Sequence, residues 1–297
     1  MEAHSVESLP VEVLPAPGLA WQAWLRQQFY LVPEVFVLVV VLGLHLALAA
    51  PPWLALLGLL IVGWFGARLS LLIQARRALT MGAYPRATRL SDLALALNPY
   101  SVDAQALCAT LALAQGQPEQ ALPRLEQALR FAPGKAELYN LQSAALLETN
   151  QNAAAQRAAN QALRLDPTSA LAQLHLAEAV ARQGAEPGEV EALLQAGLKY
   201  AGPPADQAAL HCALAELLHT QGRHGEANLH LAAVPGLLAA SPLPQRAGLH
   251  FYLGQLLQRN GALEAAHEHF TTCASLDPQG RFAPKARQLT LPEPQSS

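Results

Sequence analysis

The sequence predicts an all-α protein in two parts, an N-terminal transmembrane helical hairpin followed by an α-solenoid of about six helix pairs. Three observations carry this reading. From Val35 to Ala67 there are 33 residues without a charge and with one strongly polar side chain, His45, a run longer than a globular core element needs. Pro99, Pro133 and Pro167 stand 34 residues apart in "LALNPYS", "LRFAPGK" and "LRLDPTS", a fixed period of the size that stacked helix pairs show. The same period repeats a turn residue and two small residues, which close packing of paired helices requires.

The apolar run comes first. Of the 297 residues, 52% are hydrophobic and only 14% charged, which is apolar for a purely soluble chain. Ala50-Pro51-Pro52-Trp53 interrupts the run, because proline removes a backbone donor and turns the preceding residue away from helical geometry. The hairpin is therefore expected over residues 31–73 with its turn at 50–53, each arm having an apolar core of about 16 residues, or ~24 Å. Trp53 and Trp64 suit the interfaces, and Arg68 can reach the headgroups. Arg26 precedes the hairpin and Arg68, Arg76, Arg77, Arg86 and Arg89 follow it, while the turn carries no charge. The positive-inside rule then puts both ends in the cytoplasm, in a bacterial inner membrane or its equivalent. Upstream, Trp21, Trp24, Leu25 and Phe29 at helical spacing predict an interfacial helix over 18–30, after a disordered segment at 1–17. This acidic, proline-containing start is unlike a cleavable signal, so the anchor is expected to stay attached.

The solenoid is expected over residues 68–280. Gly82, Gly116, Asn150, Gly184, Gly222 and Gly261 mark the turns inside successive pairs. Seven residues before them stand Ala75, Ala109, Ser143, Ala177, Ala215 and Gly254, and five after them Ala87, Ala121, Ala155, Ala227 and Ala266, with the fourth unit irregular. "YNLQSAALLETNQNAAAQRAANQALRLDP" and "HFYLGQLLQRNGALEAAHEHFTTCASLDP" carry the full pattern. In these positions the chain resembles the tetratricopeptide repeat family, with units beginning near residues 68, 102, 136, 170, 208 and 247. "AEPGEV", "AGPP" and "VPGLLAASPLP" depart from the pattern and put the stacking of the fourth and fifth units in question. Residues 281–297 read as a capping segment and a frayed tail. Because no proline or glycine falls between Gly66 and Gly82, the second membrane helix is expected to run directly into the first repeat.

The resemblance implies a groove lined by the first helix of each pair, holding an extended peptide or a partner's helix. Mapped onto this chain, the groove residues are Asn140, Glu148, Glu178, Arg182, Glu216, His219, Phe251, Gln255 and Arg259. The clamp by which chaperone-binding members hold a C-terminal carboxylate is absent, since Asn140 is followed four positions later by Ala144. The expected function is a membrane-anchored scaffold that recruits a cytoplasmic protein or assists assembly of a membrane complex.

Other classes fit the residues less well. Beyond residue 67 the chain carries 18 basic and 18 acidic residues, without the basic stripe that nucleic acid requires. Phosphate loops, nucleophile elbows, HExxH and paired carboxylates do not occur, so no enzymatic activity is expected. Cys108, Cys212 and Cys273 are widely spaced and read as packing residues. His211, His219, His224, His230, His250, His267 and His269 crowd the last two units but offer no i, i+4 pair on one helix, so no metal is expected. His45 carries the alternative reading: an ionisable group inside a membrane helix could sit near a haem or chlorophyll-type cofactor in a membrane complex. Its plainer role is a neutral imidazole hydrogen-bonded across the hairpin, and no cofactor is expected.

Overall fold

The structure, a computed structural model, describes residues 38–41, 43 and 52–290. The expected disordered start, the interfacial helix at 18–30, His45, Pro51 and the tail from 291 lie outside the described residues. Among those described there is no strand. Contacts divide the chain into a unit up to Val62 and a larger one from Gly63.

Thirteen helices follow one another among the described residues: α1 Pro52–Thr80, α2 Tyr84–Leu97, α3 Val102–Ala114, α4 Pro118–Phe131, α5 Ala136–Glu148, α6 Asn152–Leu165, α7 Ala170–Ala181, α8 Pro187–Tyr200, α9 Pro204–Thr220, α10 His224–Leu238, α11 Leu243–Arg259, α12 Leu263–Leu276 and α13 Ala283–Thr290. Helix α1 is unbroken over 29 residues. Within it, Leu56–Thr80 is long and apolar enough to cross a membrane, with a mean hydropathy of 2.1. Leu59 and Leu60 are 67% and 71% exposed, and Trp53 and Trp64 are exposed as well. Arg68 is buried, its guanidinium 5.5 Å from the ring centroid of Phe65 one turn earlier, a cation–π contact at helical spacing. A hairpin is not shown, since the arm expected before Pro51 falls largely outside the described residues.

From α3 to α12 each odd-numbered helix packs on the helix that follows it, and successive odd-numbered helices also touch. The six turn positions explain the regularity. Gly82, Gly116, Gly184, Gly222 and Gly261 take φ between 69° and 86°, and Asn150 takes 58°. These left-handed residues close the same two-bond cap: the Gly116 amide donates to the Leu113 carbonyl at 3.0 Å and the Gln117 amide to Ala112 at 2.8 Å. Glycine carries no steric penalty there, and asparagine is the residue that tolerates the conformation next best.

Small residues then set the distance between paired helices. Ala75, Ala109, Ser143, Ala177 and Ala215 are almost fully buried, as are Ala87, Ala121, Ala155, Ala227 and Ala266. The Ser143 hydroxyl donates to the Ala155 carbonyl at 2.9 Å, satisfying the polar atom of the one serine in the series. In the sixth pair a Cβ on Gly254 would lie 2.6 Å from Phe270, so the larger ring in α12 requires the smaller residue in α11. The irregular fourth pair has a local cause. Helix α8 starts three residues after Gly184, where the other second helices start two after their turn, and Val190 is buried where alanine stands elsewhere. The prolines of "AGPP" and "SPLP" do not interrupt the stack; they lie in or beside the first turns of α9 and α11, which begin four residues before 208 and 247. Proline fits there because the first amides of a helix have no intrahelical acceptor.

Candidate interaction surface

The residues expected to line the groove all lie on or next to the odd-numbered helices, but several are engaged with the chain itself. Glu178 and Arg182 form an ion pair at 2.5 Å, and Arg182 also donates to the Leu147 carbonyl at 2.6 Å, tying α7 to α5. Glu216 of α9 pairs with Arg259 of α11. Glu148 pairs with Arg281, beyond the repeats. These contacts join neighbouring pairs, so the charges stabilise the stack as well as colouring its surface. Glu216 and Arg259 keep about half of their side-chain surface open, at 48% and 54%. The Asn140 side chain donates to Ser169 Oγ at 2.9 Å, while its buried Oδ1 has no partner in the chain. A buried acceptor without a donor costs free energy.

Phe251 and His219 are both engaged within the chain. Phe251 is core: its ring centroid lies 5.7 Å from Phe270 and 5.0 Å from Phe282, and it is 3% exposed. A long apolar side chain at that register is drawn under the helix pair, where burial stabilises it by about 2 kcal/mol. Its neighbour Tyr252 is 43% exposed and stands in the field of Glu178, Arg182 and Glu216. Partial loss of water around the ring, and then the Glu178 charge, raise its phenol, so it remains a neutral donor. The mapping missed Tyr252 by one residue; "FY" in the sequence offered either ring. His219 bonds His224 at 2.9 Å across the turn that follows α9. Gln255 is half-buried.

Histidines pair between helices, a geometry that spacing along one helix does not reveal. His211 and His230 approach at 2.9 Å between Nδ1 atoms, and His250 and His269, one unit further on, at 3.0 Å. Each pair is a hydrogen bond in which one ring donates, so both rings cannot carry a second proton. Burial and the neighbouring ring lower His250 to about 4, Arg246 adding to the effect. Among the described residues no three or more of His, Cys, Asp and Glu converge as metal ligands. Cys212 and Cys273 are buried, their thiols pushed up to about 12 and about 11 by desolvation, as inert packing residues are.

The comparisons agree with this geometry. The tetratricopeptide repeat profile matches residues 78–145, and a second profile of that description matches 136–169. Curated proteins yield no match. Among solved structures, PilF of Pseudomonas aeruginosa superposes with a TM-score of 0.50 at 18% identity, covering 76% of this chain and 99% of its own. PilW, a type IV pilus biogenesis factor, gives 0.52 at 21% identity over 74% of this chain and 98% of its own. A thermophilic tetratricopeptide repeat protein of Thermus thermophilus gives 0.53 at 24%, over 63% and 98%. At these identities the likeness concerns the fold. Family profile, turn caps and helix-pair stacking together show tetratricopeptide repeats over residues 78–169.

Proposed function

We propose that the protein is a membrane-anchored scaffold. An N-terminal hairpin, N-in and C-in, holds it in the bilayer, and the repeat solenoid on the cytoplasmic side recruits a protein partner or assists assembly of a membrane complex. It carries out no reaction of its own. One observation carries the reading: an apolar helix of membrane length is continuous in sequence and in helical structure with the first repeat. The partner is a protein segment lying along the odd-numbered helices, where Tyr252 and the Glu216–Arg259 pair offer a donor and charges. The same fold serves in PilW, whose description is pilus biogenesis, so assembly work is within its reach.

Carbonate extraction of native membranes tests the anchor, and release of the protein would contradict integral insertion. Mild-detergent purification with mass spectrometry then identifies what accompanies it. Exchanging the charges, Glu216→Arg with Arg259→Glu, keeps the pair between α9 and α11 while inverting the surface a partner meets. Loss of the partner with unchanged helicity is expected; a partner retained at full strength places its site elsewhere.

A further inference from the structure

The last turn-and-helix segment does more than cap the stack. A cap needs only apolar cover over α11 and α12, which Phe282 supplies by stacking on Phe251 and filling the space above Gly248, where a Cβ would lie 2.8 Å from the ring. The residues just before it reach the opposite end of the solenoid. Tyr84 of the first pair donates its hydroxyl to Asp277 Oδ2 at 2.5 Å, a buried bond across 193 residues. The Arg281 amide donates to the Ala114 carbonyl of the second pair at 3.0 Å, and its side chain meets Glu148 of the third. Its Cβ would come within 3.1 Å of one added to Gly116, so the turn glycine also admits the segment. A main-chain hydrogen bond, an arginine on a carboxylate and an aromatic ring in an apolar seat are contacts by which a peptide segment is held, here in a turn closed by the Gly280 amide on the Asp277 carbonyl.

The geometry points to Asp277–Phe282 as a built-in occupant of the interaction surface, displaced by a partner segment that presents an arginine followed by an aromatic residue. The inference rests on the reading that the odd-numbered helices bind protein. The arginine takes Glu148 and the aromatic ring takes the seat formed by Gly248 and Phe251. Burial lowers the Arg281 guanidinium to about 10, so it is still charged at neutral pH and its pairing with Glu148 is electrostatic. Opening the latch separates that charge pair, the ring, and the Tyr84–Asp277 and Arg281–Ala114 hydrogen bonds, not a whole repeat.

The probe is a fluorescein-labelled peptide with the sequence of residues 277–290, added to the full-length protein in detergent and read by anisotropy. The unmodified chain is expected to bind it weakly, because its own segment competes. Gly280→Ala, whose Cβ would collide with the Asp277 carboxylate, and separately Phe282→Ala, are expected to bind it at least about tenfold more tightly. A peptide with alanine at the arginine and phenylalanine positions is expected to lose that gain. Equal binding by unmodified and altered chains, or none by either, overturns the latch. Hydrogen exchange on the unmodified protein checks the same point without a substitution. The Arg281 amide is expected to exchange faster than the amides of α11 and α12, whereas exchange at their rate would show a permanent staple and overturn displacement. The two readings fail separately: a native partner that co-purifies while the peptide test is negative leaves the scaffold intact and removes the latch. No co-purifying partner beside a positive peptide test does the reverse.

Discussion

Gly254 offers a quantitative test of the packing rule because two effects of opposite sign meet there. Replacing a helix-interior glycine with alanine ordinarily stabilises by ~0.5–1 kcal/mol through reduced backbone freedom. At Gly254 the added methyl would lie 2.6, 2.8 and 3.0 Å from three atoms of the Phe270 ring. An ordinary contact is at least about 3.4 Å, so the ring must retreat by nearly 1 Å. It has little room to do so, being 1% exposed and backed by Phe251, which is itself stacked on Phe282. Overpacking of a filled core costs ~1–3 kcal/mol, and this site belongs at the upper end. The net expectation for Gly254→Ala is a loss of about 1–2 kcal/mol. Gly236→Ala is the control: in α10, with nothing within 4 Å of an added Cβ, it should gain ~0.5 kcal/mol. Hydrogen exchange of the α11 and α12 amides in urea measures the effect locally, which suits a repeat array that need not unfold as one unit. Combining Gly254→Ala with Phe270→Leu should show a coupling of ~1 kcal/mol or more. If Gly254→Ala stabilises as Gly236→Ala does, the complementarity of glycine and phenylalanine is not what sets the helix spacing.

Acid should weaken the fold before neutral pH changes matter. His175 is held neutral by burial, its pKa lowered from 6.5 to about 4, so the unfolded chain takes up a proton that the folded chain refuses. Its contribution is complete above pH 6.5 and declines towards pH 4, by up to ~3 kcal/mol. Helicity followed against pH should show an early loss that His175→Gln reduces; an unchanged profile would refute the assignment. The turn geometry gives a paired expectation with opposite signs. Gly222→Ala, at φ 75°, should cost ~1 kcal/mol, and Asn150→Gly, at φ 58°, should be neutral or mildly stabilising, both read from thermal melts.

Much of the architecture is legible along the chain because near neighbours decide it. A left-handed turn residue selects glycine or asparagine wherever it occurs, and two crossing helices exclude all but small side chains, so both leave a period in the sequence. Ala75 to Gly254 and Gly82 to Gly261 could be named before any coordinates, and so could an apolar helix entering the first repeat. The same reasoning reached its limit at the interaction surface. Phe251 and Tyr252 are adjacent and both aromatic, and both rings meet Phe282; helical phase alone did not separate the one that is buried from the one that stands exposed among Glu178, Arg182 and Glu216.

What only the tertiary structure decided is which charges are already used. Glu148 reads as a free groove residue until Arg281 arrives from beyond the last repeat, and Glu216 until Arg259 arrives from the next pair, 43 residues on. The histidines likewise pair 19 residues apart, across helices, where no single-helix period could announce them. These contacts depend on the accumulated rotation of one pair on the next and on how residues 277–281 meet the first three pairs. Each step of that rotation is a small sum of side-chain shapes, so the sequence determines the repeating unit and its turns, while the stacked whole determines where residues from distant units meet.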